Sequence, residues 1–490
     1  MQILLVVNQN DKWPLNIEGV QIVTSRKYLS DPQFSMLRRV RVFNLCRSYS
    51  YQSVGYYVSL LAEARGHKPF PDVSSLMSMR SQAIVRFISD DLDELIQKSL
   101  APLKSARFDL SIYFGRNLAK RYDKLSQKLF HALNAPFLRA SFVKQKKWIL
   151  QKASPIASKD IPETHWSFVV GAAEEYFRKK RKAAPQKEPV LFDLAILIAP
   201  EDKQTPSNER AIKKFIKAGA SLGLGVELIQ KEDYGRLAEF DALFIRETTS
   251  VNHHTYKFAR GAAAEGLVVI DDPDSILKCT NKVFLAELLL RHKIPIPKTM
   301  IAHRDNMAQV SETLGLPCIL KQPDSSFSQG VMKVSSEDEL QEKMKKLLIR
   351  SEMIIAQQFL PTDFDWRIGV LDREPLYACR YFMAKGHWQI IDYGKTGKIR
   401  EGNADAIPID DVPDPVLRTA LKGANLIGDG LYGVDLKQVG NKVYIIEIND
   451  NPNIDAGMED QVLKDELYLR VMRSFMKRIK DKKLAKKNER

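Results

Sequence analysis

The stretch GVDLKQVGNKVYIIEINDNP, residues 433–452, constrains the fold of this chain more than any other. Its two apolar runs flank turn residues around Gly440 and Asn441, so they read as adjacent antiparallel strands. Side chains two apart on a strand share a face, so Glu447 and Asn449 point one way while Ile446 and Ile448 point into a core. Whether Asp435 joins Glu447 depends on the turn near Val439, Gly440 and Asn441. An odd-numbered loop opposes the two, whereas a two-residue loop puts them on opposite faces. The odd loop is the expectation. Asp435, Glu447 and Asn449 would then offer oxygen ligands of the kind Mg²⁺ or Mn²⁺ takes, with water and substrate phosphates completing the octahedron. A polar hairpin facing solvent is the competing reading of the same residues.

A chain of 490 residues is too long for one core and suggests roughly three domains at ~150 residues each. The segment RKKRKAAPQKEP, residues 178–189, is basic, carries two prolines and lacks large apolar residues, and so reads as a linker. Before it, strand-like runs at 3–7, 40–46 and 108–114 alternate with helix-like ones at 54–65 and 164–180, giving a first α/β domain over 1–177. The RSYSYQS loop, 47–53, joins a strand to a helix, a place where such folds bind ligands; a plain polar connection is the alternative. After the linker, short apolar strands and helical patterns at 208–222 and 254–265 make a small βαβ domain over 190–278. Residues 279–476 mix strands with amphipathic helices at 337–349 and 415–427, and 477–490 form a basic tail. The fold class is therefore multidomain, α/β followed by α+β.

Composition excludes several functions. No apolar run reaches the ~18 residues that span a bilayer, and the opening MQILLVVNQND lacks a basic region and a cleavage site, so it reads as a buried first strand. Neither a membrane nor a secretory role is expected. Cys46, Cys279, Cys318 and Cys379 lie far apart without a C-x-x-C, which suggests no zinc site and no disulfide framework; the cytoplasm is the expected compartment. Much of the net charge of +15 is concentrated at 477–490, where eight basic and two acidic residues give +6. Such a tail is usually solvated, although it could hold an acidic or nucleic-acid partner. Without aromatic residues after Phe475 for base stacking, nucleic acid is not the expected partner.

The usual phosphate loops fail. GKTGK at Gly394 ends like a Walker motif, but Gln389 stands at the required upstream glycine, and no G-x-G-x-x-G follows a strand. What remains is Lys282 at a helix start, Lys321 ending the apolar strand CILK, and the small-residue loop SSFSQG at 325–330. A lysine there can hold a phosphate as a point charge, and small residues let backbone amides approach the anion; exposed lysines are the competing reading. His253 and His254, the adjacent histidines, read as structural or exposed.

The order of these pieces adds to the reading. The runs TNKVFLAELL, LKQPDSSFSQGV, AQQFLPTDFDWRIGV, GVDLKQ and YIIEINDNPNID resemble the ATP-grasp fold, in the branch containing RimK, the ribosomal-protein glutamate ligase. The resemblance covers roughly 190–475, with 190–278 as the pre-ATP-grasp domain, and 1–177 resembles the N-terminal domain fused to some RimK-like ligases. It implies that Lys282 and Lys321 contact ATP phosphates and that Ser328, Gln329 and Gly330 belong to the loop closing over them. Gln357, Gln358, Phe359 and Leu360 match the adenine hinge; Gln358 departs from the glutamate common there, and amide and carboxylate both accept hydrogen bonds. Asp365 and Arg367 match a D-x-R pair whose arginine faces phosphate and acceptor carboxylate, Arg380 matches an arginine of the acyl-phosphate site, and Asp435, Glu447 and Asn449 match the metal ligands. Asn403 is assigned to the substrate side although 386–406 departs from RimK, and Arg246 could reach the acceptor or be an ordinary strand-end arginine.

The resemblance implies a carboxylate–amine ligase that uses ATP and Mg²⁺ or Mn²⁺ to join an acid, glutamate being the nearest precedent, to a small molecule, peptide or protein, and a homo-oligomer. Phosphoryl transfer needs positioning and charge neutralisation more than a protein nucleophile, and these residue types suit it. Two other readings stay open: a small-molecule kinase of the same fold, and a ribosome- or nucleic-acid-binding protein using the basic linker and tail.

Overall fold

A computed structural model describes residues 2–8, 17, 19–179, 190–202, 205–324, 330–392 and 400–488. The chain divides into two compact units, Met1–Pro185 with Asp233–Glu239, and Gln186–Glu232 with Phe240–Arg490. Most of the linker stretch 178–189 lies outside the described residues.

In the first unit, β1 (Gln2–Val7), β2 (Val20–Thr24), β3 (Val40–Asn44) and β4 (Lys68–Phe70) form a parallel sheet in the order β2-β1-β3-β4. The run Leu4–Val7 is buried on both faces, as parallel strands covered by helices require. The helix Val54–Ala64 follows β3, capped by Ser53, whose hydroxyl accepts from the Tyr56 amide. A second sheet, antiparallel, joins β5 (Arg107–Tyr113), β6 (Phe137–Lys144) and β7 (Trp148–Pro155).

The second unit opens with a parallel sheet of β8 (Phe192–Leu197), β9 (Leu224–Ile229), β10 (Ala242–Ile245) and β11 (Val268–Ile270), in the order β11-β10-β8-β9. The helix Glu209–Ser221 packs against both this sheet and the long helix Asp465–Asn488, which also meets the sheet, with Phe215, Phe244, Tyr468 and Phe475 in one cluster. Burying four aromatic rings this way contributes roughly 1.5–3 kcal/mol each. The 477–490 segment is thus not a separate solvated tail through Asn488. It continues the helix, where Arg478 pairs with Asp372 (2.6 Å) and Asp429, and Lys483 with Asp241 (3.1 Å). No helix among the described residues is long and apolar enough to cross a membrane.

Two antiparallel sheets follow. One, small, has β12 (Thr299–Ala302), β13 (Cys318–Lys321), β14 (Val331–Val334) and β15 (Ile354–Gln358) in the order β12-β15-β13-β14. The larger is built of β16 (Phe364–Leu371), β17 (Glu374–Phe382), β20 (Ala404–Ile407), β21 (Leu431–Val439) and β22 (Lys442–Asn449), with a two-stranded pair, β18 (Ile391–Asp392) and β19 (Arg400–Glu401), beside β17 in sequence. Its order is β20-β17-β16-β21-β22. One face carries Trp366, Ile368, Val434, Leu436, Ile445 and Ile448 against the helix Asp414–Ile427. The other face carries the polar residues described next.

Candidate active site

The β21–β22 hairpin decides which side chains meet. Val439 pairs with Lys442, so the loop is the two residues Gly440 and Asn441, not the odd-numbered loop expected from sequence. Gly440 has φ +58°, the positive value a tight hairpin takes at its first loop residue. Alone, this loop would set Asp435 and Glu447 on opposite faces. A one-residue bulge intervenes: Leu436 pairs with Ile445, but Asp435 pairs with Glu447 and Gly433 with Asn449, leaving Ile446 unpaired between them. The bulge restores the shared face that the even loop would have lost. It also corrects the core assignment, since Ile445 and Ile448 are buried in the core cluster and Ile446 is not among them.

Strand β16 lies beside β21, with Arg367 opposite Asp435. Arg367 grips that carboxylate with two donors, Nε to Oδ1 and Nη2 to Oδ2 at 2.9 Å. Asn449 Nδ2 donates to Asp435 Oδ2 at 3.2 Å. One pair further along the same face, Lys437 Nζ lies 2.5 Å from Asp365 Oδ1, which also accepts from Thr362 Oγ1 at 3.1 Å. Gly433 makes room for this layer: a Cβ there would lie 2.6 Å from Pro452 Cβ and 3.2 Å from Arg367 Cδ.

Two buried lysines reach the same strand. Asn281 caps the helix Lys282–Arg291, its side chain accepting from the amides of Val283 and Phe284, and so fixes Lys282 in the first turn. Lys282 Nζ sits 2.7 Å from Glu447 Oε1. Lys321 ends β13, and its Nζ lies 3.5 Å from the carbonyl oxygen of Ile446, the residue that the bulge leaves unpaired. Burial lowers the Lys321 ammonium to about 8, with Glu447 holding it up and Lys282 pushing it down. Burial would raise the Glu447 carboxyl, but Lys282 and then Lys321 outweigh it and leave it below the usual range. Burial lifts Asp435 above the usual carboxylate range, with Arg367 opposing.

Around this centre the hinge residues take separate roles. Gln357 is buried and donates Nε2 to Thr299 Oγ1 at 2.9 Å, while Gln358 is exposed and its amide donates to the Lys298 carbonyl at 2.8 Å. Phe359 lies under Lys333 Nζ, 4.0 Å from the ring centroid, with the Trp388 ring edge-on at 6.1 Å; Leu360 follows, half-buried. Trp388 and Lys333 escaped the sequence reading, because a lone aromatic and a strand lysine carry no spacing signal. Gly330 has φ +72° and its carbonyl accepts from the Gln322 amide at 3.0 Å; Ser328 and Gln329 lie outside the described residues.

Three expected site residues stand elsewhere. Arg380 pairs with Trp366, not with Arg367's side of β16, so it faces the opposite side of the sheet. There it binds Asp405 at 3.3 Å and lies over Phe364 and Phe382. The cause is again a bulge: the β16–β17 loop is Asp372 and Arg373, both at positive φ, and a slip between Gly369 and Val370 reverses the faces beyond it. Tyr381 takes the inward place instead, its ring 5.2 Å from Arg367 Cζ and its hydroxyl donating to Glu459. Asn403 is exposed at the entry to β20, and its carbonyl accepts from the Phe382 amide at 2.9 Å, which puts it on Arg380's side by alternation. Arg246 is fully buried, and its guanidinium donates to Ser207 Oγ (3.0 Å), Asn451 Oδ1 (2.6 Å), and the carbonyls of Pro206 and Pro452. With these donors engaged, it ties two loops together rather than reaching a substrate.

Asp435, Glu447 and Asn449 present carboxylate and carboxamide oxygens, a hard donor set that fits Mg²⁺ or Mn²⁺, and the lysines and Arg367 beside them suit a polyphosphate. Lysines from a helix start and a strand end, meeting a carboxylate-bearing hairpin of a second antiparallel sheet, define the ATP-grasp class of nucleotide-binding proteins. Within that class the chain belongs to the RimK-like family: residues 279–467 match the RimK-like ATP-grasp domain, and residues 25–172 match the RimK-like ATPgrasp N-terminal domain. It is similar to the alpha-aminoadipate–LysW ligase LysX of Saccharolobus solfataricus, 27% identical over 255 residues, 49% of this chain and 88% of that protein. It is also similar to a probable alpha-L-glutamate ligase of Vibrio vulnificus, 24% identical over 233 residues, 47% of this chain and 74% of that protein. Among solved structures, a RimK domain ATP-grasp protein from Sphaerobacter thermophilus aligns at 16% identity with a TM-score of 0.44, covering 58% of this chain and 98% of that one.

Proposed function

We propose that the chain is an ATP-dependent carboxylate–amine ligase that joins an α-amino acid to a small molecule, peptide or protein through an acyl phosphate. The observation that carries this is the convergence of Lys282 and Lys321 on Glu447 and the Ile446 carbonyl, beside the Arg367–Asp435 pair. Asp435, Glu447 and Asn449 would hold Mg²⁺ or Mn²⁺, which supplies neutralisation of phosphate charge when bound. Lys321 and Lys282 act as point charges on the phosphates. Arg367 offers its planar fork to the transferring group or the acceptor carboxylate once released from Asp435. Phe359 and the backbone of Gln357–Leu360 hold the adenine.

In the first step a carboxylate oxygen attacks the γ-phosphorus and ADP leaves. In the second an amine nitrogen attacks the acyl carbon, phosphate leaves and one proton is lost. Positioning and charge neutralisation carry both steps. The relatives' names support an amino-acid substrate, glutamate or a close analogue, and leave a protein acceptor as part of the proposal. The same reading includes domains at 1–177, 190–278 and 279–476, a homo-oligomer, and the cytoplasm, the last supported by the buried thiols of Cys279, Cys318 and Cys379, which form no disulfide.

Purified protein incubated with ATP, Mg²⁺ and pools of amino acids and short peptides should release ADP and yield a product heavier by one amide-linked residue. ADP with a phosphorylated product and no amide would make the chain a kinase instead. Unchanged amide formation by Glu447→Ala would overturn the mechanism.

A further inference from the structure

We propose that Glu247, His253 and His254 form a binding site for one divalent transition-metal ion of the Zn²⁺ class, separate from the magnesium ligands Asp435, Glu447 and Asn449. Their ligand atoms all lie within 4.8 Å of one another, and they are the group of three such side chains that comes together among the described residues. Tetrahedral coordination at bond lengths near 2.1 Å needs donors about 3.4 Å apart, so small rotations suffice to close the set. Two imidazoles and one carboxylate are borderline ligands that select Zn²⁺ and its neighbours over Mg²⁺, which prefers oxygen alone.

The surroundings hold these groups close together. Glu247 is buried, and its backbone is pinned because Asn451 Nδ2 donates to its carbonyl at 2.7 Å while the adjacent Arg246 is locked by four acceptors. His254 begins the helix His254–Ala264, and its buried Nε2 comes 2.6 Å from Glu247 Oε1 in a geometry that makes no hydrogen bond. His253 occupies the N-cap position but its side chain does not cap the helix. Its ring stands 3.9 Å, centroid to centroid, from that of His254, and one nitrogen contacts Thr255 Oγ1 at 3.1 Å, the outer partner that orients a metal-bound imidazole. Three protein ligands leave one tetrahedral position open to water or another donor. Because Asn451 contacts both Arg246 and Glu247, an ion here would stiffen the loop after β10 together with the loop that follows Asn449.

The test uses the full chain, chelated and then titrated with Zn²⁺ by calorimetry in excess Mg²⁺ and without ATP, so that its outcome does not depend on the ligase reading. Co²⁺ is titrated in parallel, and its visible absorption reports the coordination. Expected are one Zn²⁺ per chain, tetrahedral Co²⁺ bands, and a loss in affinity of at least about tenfold, the scale of an outer-shell change, in His253→Gln and in His254→Gln. Circular dichroism checks that each variant is folded; if His254→Gln is not, the less buried His253→Gln decides. Absence of stoichiometric Zn²⁺ binding, or wild-type affinity in the folded variants, overturns the proposal.

Discussion

Glu447→Gln is the sharpest single perturbation, because it removes one charge and keeps the shape. In the wild type the carboxylate lies 2.7 Å from Lys282 Nζ, whose side chain is only 8% exposed. The carboxamide oxygen still accepts from Lys282, so the loss is that of the charge assistance, about 1–1.5 kcal/mol, which for a unit of this size lowers the thermal midpoint by about 2–3 °C. The pH dependence follows from the Glu447 carboxyl: burial would raise it, but Lys282 and Lys321 more than offset this and hold it below the ordinary 4.5. A carboxyl lowered on folding adds stability above its unfolded value and loses that contribution as pH falls through the folded one. The gap between wild type and variant is therefore full at pH 7 and closes as pH drops below about 4.5. On catalysis, loss of one preorganised charge at the metal predicts a fall of about 10²–10³ in ADP release, or about 2.7–4 kcal/mol, with a higher Mg²⁺ requirement. Differential scanning fluorimetry at pH 7 and pH 4 and a Mg²⁺ titration of ADP release read these out. A variant with the wild-type Mg²⁺ curve and an unchanged midpoint at pH 7 would refute the reasoning.

Other outcomes follow from the same geometry. Because burial brings Lys321 to about 8, its charge is present below that pH and lost above it, so ATP binding measured by calorimetry should weaken between pH 7 and 9 in the wild type. Lys321→Met should bind ATP more weakly, roughly tenfold or beyond, and show no such step. Arg367→Ala should lower ligation by about 10² or more, whereas Arg380→Ala, on the opposite face, should stay within about threefold; equal losses would contradict the β16–β17 register. Arg246→Met removes a donor from the Pro452 carbonyl, while the Pro206 carbonyl keeps the Ile454 amide, and should cost about 1–3 kcal/mol, seen as a drop in thermal midpoint. Lost activity with an unchanged midpoint would instead return Arg246 to the substrate.

Much of this arrangement was legible in the chain. Alternation placed Glu447 and Asn449 on one face, apolar runs located β1, β3 and β8, and Asn281 before Lys282 announced a capped helix start. What was not legible were the two bulges. Nothing local distinguishes Ile446 from Ile445 or Ile448 as the unpaired residue, and the lysine that meets its carbonyl, Lys321, lies 125 positions away. The slip near Gly369 likewise turned Arg380 outward and Tyr381 inward, so matching motif letters along β17 named the neighbour of the residue that faces the site. Arg246 stayed open between two readings for a related reason: the four acceptors it serves come from segments that converge only in the folded chain.

The bulge at Ile446 has a consequence for how this hairpin tolerates change. The pairs on either side of it, Leu436 with Ile445 and Asp435 with Glu447, are complete without it. Excising Ile446 would leave both pairs in register and remove only the main-chain oxygen near Lys321. Exchanging its side chain would leave that oxygen in place. Position 446 should thus tolerate exchange of its side chain, and its deletion should be felt through Lys321 rather than through the strand pairing, a signature of a residue whose contribution is carried by its backbone.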